Sequence, residues 1–276
     1  MMQILDVTKW PVAGIQEYKD RNITKTLATG DKELRFAYPR NGPNVEFLML
    51  ENYIRTESDE YVIKRIVPRG EFYEYTAALN VEGLEEKKFV GGYSRTEQLP
   101  YIMMDVTNST GWVTQYVNCD SQQKVRTIEL TEPHSGWDLL QKVLKRFRVE
   151  CSINSIDKII TISDRIGADR GAYMIDGVNL RDLSAESDTY DWYTRIIPIG
   201  KDGLQINVDG KNYVENYQYS TKPRTYIWKD ERYTSTESLI EDATDMLEDM
   251  TKPMKAYTAD VVDLAAVNPE NYGIMA

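Results

Sequence analysis

The residues best suited to nucleophilic, proton-transfer or metal chemistry are one histidine, His134, and two cysteines, Cys119 and Cys151. An imidazole beside a thiol or hydroxyl is a general base for covalent catalysis. Here, however, Glu132-Pro133-His134-Ser135 reads as a turn running into a helix cap, which commits Ser135 to the backbone. The cysteines stand far apart with no CxxC, as buried thiols do rather than a disulfide framework or zinc site, and a lone histidine removes sites built on paired imidazoles. The acyl-transfer elbow GxSxG is absent, because Gly92-Tyr93-Ser94 is followed by Arg95-Thr96. Phosphate cradles of the GxxxxGK[ST] or GxGxxG kind are absent too; Gly167 with Gly171, and Gly200 with Gly203, read as turn glycines. Among 44 acidic residues no pair is singled out by context for glycoside hydrolysis. No cofactor, metal or catalytic residue is expected.

Two stretches suit binding instead. The loop Asp164-Arg165-Ile166-Gly167-Ala168-Asp169-Arg170-Gly171 alternates acids and arginines around glycines. Arg165, Asp169 and Arg170 are candidate subunit contacts, since arginine favours interface ion pairs, and the competing reading is a solvated loop between strands. The tyrosines Tyr213, Tyr217, Tyr219 and Tyr226 suit either a sugar-stacking platform or strand aromatics in a barrel and at its interface, which makes Tyr217 and Tyr219 further interface candidates.

The elements that must position these residues fall into three blocks, as expected for 276 residues. Residues 1–93 read as strands and turns, with alternation at Leu34, Phe36 and Tyr38, a second strand over Val45–Tyr53, and further strands at Glu60–Val67 and Glu71–Leu79. Residues 94–186 change period. Thr96 caps a helix bearing Leu99, Ile102, Met103 and Val106 on one face, and Ser135 starts a second with Trp137, Leu140, Val143, Leu144 and Phe147. A hairpin of Val149–Ile153 and Lys158–Ile162 follows. Residues 187–276 return to strands at Thr189–Ile199, Leu204–Val208, Tyr213–Tyr219, Tyr226–Trp228 and Ala256–Leu264. A helix over 235–250 is inserted, opened by a Thr234/Glu237 capping box, with Glu241, Asp242, Asp245, Glu248 and Asp249 facing outward. The fold class is α+β, mostly β: two small antiparallel β-barrel-like domains around an α+β domain.

Lys and Arg number 33 against 44 Asp and Glu, a formal charge of -11, which argues against attraction to nucleic acid or anionic lipid. No apolar run approaches bilayer length and Met1–Trp10 lacks a signal layout, so the chain is expected to stay in the cytosol or leave by another route.

Asn179-Leu180-Arg181-Asp182-Leu183, then Asp188-Thr189, then Thr194-Arg195-Ile196-Ile197-Pro198-Ile199-Gly200-Lys201-Asp202-Gly203-Leu204, resemble the signature stretch of the prophage endopeptidase tail, or tail-associated lysin, group of phage tail-tip proteins. Thr194, Arg195, Pro198, Gly200, Asp202 and Gly203 carry that signature. Tyr213-Val214-Glu215-Asn216, Asp230-Glu231-Arg232-Tyr233, Thr110-Gly111-Trp112, Glu51-Asn52-Tyr53-Ile54 and Glu60-Tyr61-Val62-Ile63-Lys64 agree with it in order. The resemblance implies a structural virion protein similar to the baseplate hub of contractile phages. It would be a homotrimeric ring at the tail tip, joining the distal tail protein and tail tube, with the tape-measure protein as a further contact and DNA only in transit. It implies synthesis in the bacterial cytoplasm and residence in the virion.

Longer members of the group carry a wall-degrading domain after the hub region. With one histidine and no Cys–His arrangement, no enzyme activity is expected here. The family region tends to continue past Ala256–Leu264, so the last barrel is expected to be incomplete. The competing functional classes are a cell-wall hydrolase and a carbohydrate- or receptor-binding module of a phage tail.

Overall fold

The computed structural model describes residues 2–167, 180–188 and 191–261. The chain divides into two compact units, Met1–Gly167 and Ala168–Ala276.

The first unit opens with β1 (Met2–Leu5), β2 (Pro11–Ile15), β3 (Lys19–Thr26), β4 (Asp31–Pro39), β5 (Tyr53–Arg55), β6 (Glu60–Arg69) and β7 (Phe72–Leu79). They form one antiparallel sheet in the order β2-β1-β5-β6-β7-β4-β3. Its two edges, β2 and β3, are joined only by residues 16–18. That link reaches about 14 Å at full stretch. The edges must therefore approach at this corner, and the sheet curls. Alternation along β4 and β7 sends Leu34, Phe36, Tyr38, Tyr75, Ala77 and Leu79 inward, with Phe36 and Tyr75 stacked at 4.9 Å.

The expected strand over Val45–Tyr53 is instead a 3-10 turn, Val45–Phe47, followed by bends, and only Tyr53–Arg55 joins the sheet. Local bonds take up the backbone there: the Asn52 side chain donates to the Phe47 carbonyl at 2.9 Å and its amide to the Met49 carbonyl at 3.2 Å.

The chain continues through α1 (Glu82–Glu86), β8 (Lys88–Phe89), β9 (Tyr93–Gln98), α2 (Leu99–Thr107), β10 (Val113–Tyr116), β11 (Val125–Leu130), β12 (His134–Ser135), α3 (Gly136–Phe147), β13 (Glu150–Asn154) and β14 (Ile159–Ser163). Thr96 lies in β9, paired with Thr127, and does not cap a helix. The cap of α2 is Gln98, with Pro100 tolerated in the first turn, where its missing N–H costs nothing. Ser135 does cap α3: it accepts from the Asp138 amide at 3.1 Å while Asp138 accepts from the Ser135 amide at 2.9 Å. Leu99, Ile102, Met103 and Val106 of α2 and Leu139, Leu140, Val143, Leu144 and Phe147 of α3 are buried. Each such large side chain contributes about 2 kcal/mol of transfer free energy.

A border near residues 93 and 94 is not where the structure divides. One hydrophobic core runs from Met2 to Ile162 through the curled sheet, α2, α3 and the β13–β14 hairpin. Polar bonds cross the same seam. Lys32 Nζ lies 2.8 Å from both Asp59 carboxylate oxygens and donates to the Ile153 carbonyl at 2.6 Å. Ser155 Oγ accepts from the Glu60 amide at 2.7 Å, and Gln141 donates to the Thr29 carbonyl at 3.0 Å.

The second unit holds β15 (Leu180–Asp188), β16 (Arg195–Ile199), β17 (Val214–Glu215), β18 (Thr225–Lys229), α4 (Thr236–Met250) and β19 (Met254–Val261). β15 pairs with β19, and β16 stands between antiparallel β17 and parallel β18. Leu204–Val208 and Tyr213–Tyr219 are mostly irregular, tied by single pairs Ile199–Gln205 and Val208–Lys211 and by the two-residue β17. Ser235, not Thr234, caps α4. Leu239, Ala243 and Leu247 of α4 pack on Ile196, Ile206 and Val214. Asp242, expected to face solvent, is buried instead and accepts a short hydrogen bond from the Tyr233 hydroxyl, a donor that offsets the cost of burying the carboxylate.

Among the described residues no helix is long and apolar enough to cross a membrane.

Candidate functional site

Cross-strand register places Glu215 of β17 directly opposite Arg195 of β16. Arg195 Nε donates to Glu215 Oε2 at 3.1 Å, and Lys211 Nζ donates to Oε1 at 2.5 Å, so both carboxylate oxygens are held by cations. The Lys211 hydrogen bond is the main reason that the Glu215 carboxyl sits below its ordinary value, with Arg195 adding to it. The Arg195 guanidinium also lies 4.8 Å from the Tyr213 ring centre and 5.6 Å from that of Tyr217, a double cation–π contact. A cleft of about 570 Å³ opens between this hairpin and α4. Lys211, Tyr213, Glu215 and Tyr217 form one wall, Ile240, Thr244 and Glu248 the other.

The remaining signature residues shape the support of this cluster. Thr194 is buried; its hydroxyl donates to the Lys222 carbonyl at 2.9 Å and accepts from the Arg224 amide at 2.9 Å. Its carbonyl accepts from the Asn216 amide at 3.0 Å, clamping the loop that carries Tyr217 and Tyr219. Pro198 sits in β16 beyond the two residues that β17 pairs with, where a missing N–H breaks no bond on that side. At Gly200 a Cβ would stand 2.7 Å from the Tyr233 carbonyl oxygen, so only glycine lets the two backbones approach. Asp202 and Gly203 both take positive φ and close the turn.

Of the other candidates, Arg165 is exposed at the end of the first unit, and Tyr219 is 47 % exposed. Asp169 and Arg170 lie outside the described residues. His134 stacks on Phe89 at 5.0 Å, and its Nδ1 lies 2.9 Å from the Glu132 carbonyl, which accepts its proton. Ser135 Oγ is held by Asp138 at 2.7 Å. Burial, with Asp164 second, pushes the Cys119 thiol up to about 11; burial pushes that of Cys151 up to about 12. Neither thiol is poised as a thiolate nucleophile. Among the described residues no group of three or more His, Cys, Asp or Glu side chains is placed to hold a metal ion.

The sequence read Arg195 as a signature residue without its neighbours. The cues for the cluster were Lys211, Tyr213, Glu215 and Tyr217 at alternating positions, which place their side chains on one face of an extended segment.

Residues 168–273 match the family described as prophage endopeptidase tail. The Arg195 cluster lies wholly inside that segment. The prophage tail protein gp18 from Listeria monocytogenes EGD-e is 13% identical with a TM-score of 0.66, over 93% of this chain and 79% of that one. The fold is that of prophage tail proteins. A prophage MuSo2 tail protein from Shewanella oneidensis aligns with a TM-score of 0.62 at 13% identity, over 94% of this chain and 82% of its own. The tail protein from Neisseria meningitidis MC58 gives 0.60 at 11% identity, over 94% and 79%. Among curated proteins none matches the sequence significantly. The family match takes in Asn179–Leu183, Thr194–Leu204, Tyr213–Asn216 and Asp230–Tyr233. Glu51–Ile54, Glu60–Lys64 and Thr110–Trp112 fall outside it, in the first unit, which shares with these tail proteins the fold alone.

Proposed function

We propose that this protein is a structural component of a phage tail, a hub at the distal tail end that assembles as a homotrimer, binds the distal tail protein below the tail tube and gates DNA exit. The observation that carries the reading is the extent of the likeness: the fold aligns over 93% of the chain with a prophage tail protein, and the segment 168–273 independently matches a tail family. The absence of an assembled nucleophile around His134, Cys119 or Cys151 favours a structural over a catalytic role for the described residues. A ring of copies needs head-to-tail contacts that close, and the exposed edge strand β3 offers unpaired backbone for one. A formal charge of -11 suits a lumen that repels DNA phosphates in transit; a basic lumen in an assembled ring would contradict that part.

The test is to label particles induced from a lysogen with antibody against this chain and image them by electron microscopy. Label at the tail end opposite the capsid is expected. Particles that contain none of the chain would overturn the reading.

A further inference from the structure

The geometry points to the cleft between Lys211–Tyr217 and α4 as a binding site for a neutral saccharide. The argument starts from what already occupies the charges. Both oxygens of Glu215 are held, one by Arg195 and one by Lys211, and Asp209 and Glu248 also line the cleft, so the carboxylates here outnumber the two cations and an anion is not favoured. Among the described residues no three His, Cys, Asp or Glu side chains are placed to hold a metal ion.

The cleft also presents two tyrosine rings, Tyr213 with both Arg195 and Lys211 over it and Tyr217 with Arg195, an apolar floor of Val214, Ile240 and Leu247, and hydrogen-bonding groups at its rim on Asn216, Thr244 and the exposed Glu248. That combination matches a pyranose, which lays an apolar C–H face on an aromatic ring and turns its hydroxyls toward amide and carboxylate partners. A volume of about 570 Å³ accommodates two to three sugar rings at most.

The walls are also held before any ligand arrives. Arg195 is not part of the cleft lining; it packs on both Tyr213 and Tyr217, and Thr194 anchors the backbone of Asn216. Rings fixed in this way lose little entropy on binding.

This inference does not depend on the hub reading, and its test uses the full chain in whatever assembly it adopts. Isothermal titration calorimetry with N-acetylglucosamine trisaccharide, maltotriose and cellotriose, each to about 10 mM, is expected to give saturable binding of at least one. Tyr217→Ala is expected to weaken it about tenfold, Tyr217→Phe to retain it, and Glu248→Gln, a change on an exposed rim that leaves the fold unaltered, to weaken it by a smaller factor. Circular dichroism confirms that each variant is folded. No binding of any of the three sugars, or binding that neither Tyr217→Ala nor Glu248→Gln weakens, would overturn the proposal.

Discussion

Gly30 faces Cys151 so closely that a Cβ on the glycine would lie 2.4 Å from the thiol sulfur and 3.1 Å from the Cys151 carbonyl oxygen. The contact joins the turn before β4 to the hairpin strand β13, and with φ +70° at Gly30 it shows why the curled sheet and the helical part behave as one unit. Gly30→Ala should destabilise the first unit by about 2 kcal/mol or more, from overpacking and left-handed strain together. Adding Cys151→Ala should restore only part of this, because the backbone contact and the strain remain. Urea unfolding of the wild type and the two variants checks it.

Lys32 and Asp59 form the buried ion pair at the same seam, the Asp59 side chain being 1% exposed. Lys32→Met should cost about 3–5 kcal/mol because it strands a buried carboxylate. Adding Asp59→Leu should recover most of that loss. A double variant no more stable than Lys32→Met would show that the pair is not coupled.

Burial pushes the Glu60 carboxyl up, but Arg55, Asn80 and Lys9 together outweigh it and hold the group below its ordinary value of 4.5. A depressed folded value means that Glu60 adds stability above the unfolded value and loses it as pH falls through the folded one. Stability should therefore decline as pH drops below 4.5, and Glu60→Gln should be less stable at neutral pH with a flatter decline on acidification. Thermal unfolding between neutral and strongly acidic pH reads this directly.

The two thiols, buried and raised to about 11 and about 12, should resist iodoacetamide at pH near 8 in the native protein and react in denaturant. Mass spectrometry that found a rapidly alkylated native cysteine would contradict the burial of both.

Much of this was legible in the sequence where one force dominates. The alternation Leu34, Phe36, Tyr38 and the stripe Leu140, Val143, Leu144, Phe147 report burial directly, and those elements stand as read. The domain border was not legible, because Lys32, Asp59 and Ser155 look like ordinary surface residues until the fold brings them across one seam. Asp242 reads as solvated for a related reason: it is one of several acids on an acidic helix, and the Tyr233 hydroxyl that meets it in the fold is nine residues away in sequence. At the candidate site the residue types were visible, but the pairing of Arg195 with Glu215 depends on strand register, which spacing alone does not set.

The most direct test of the tail-hub account is the mass of the protein in solution by light scattering over a concentration series, alone and with the distal tail protein of the same phage. The account predicts a mass of three chains, formed by the protein itself or on addition of that partner. A monomer at every concentration, with and without the distal tail protein, would contradict it.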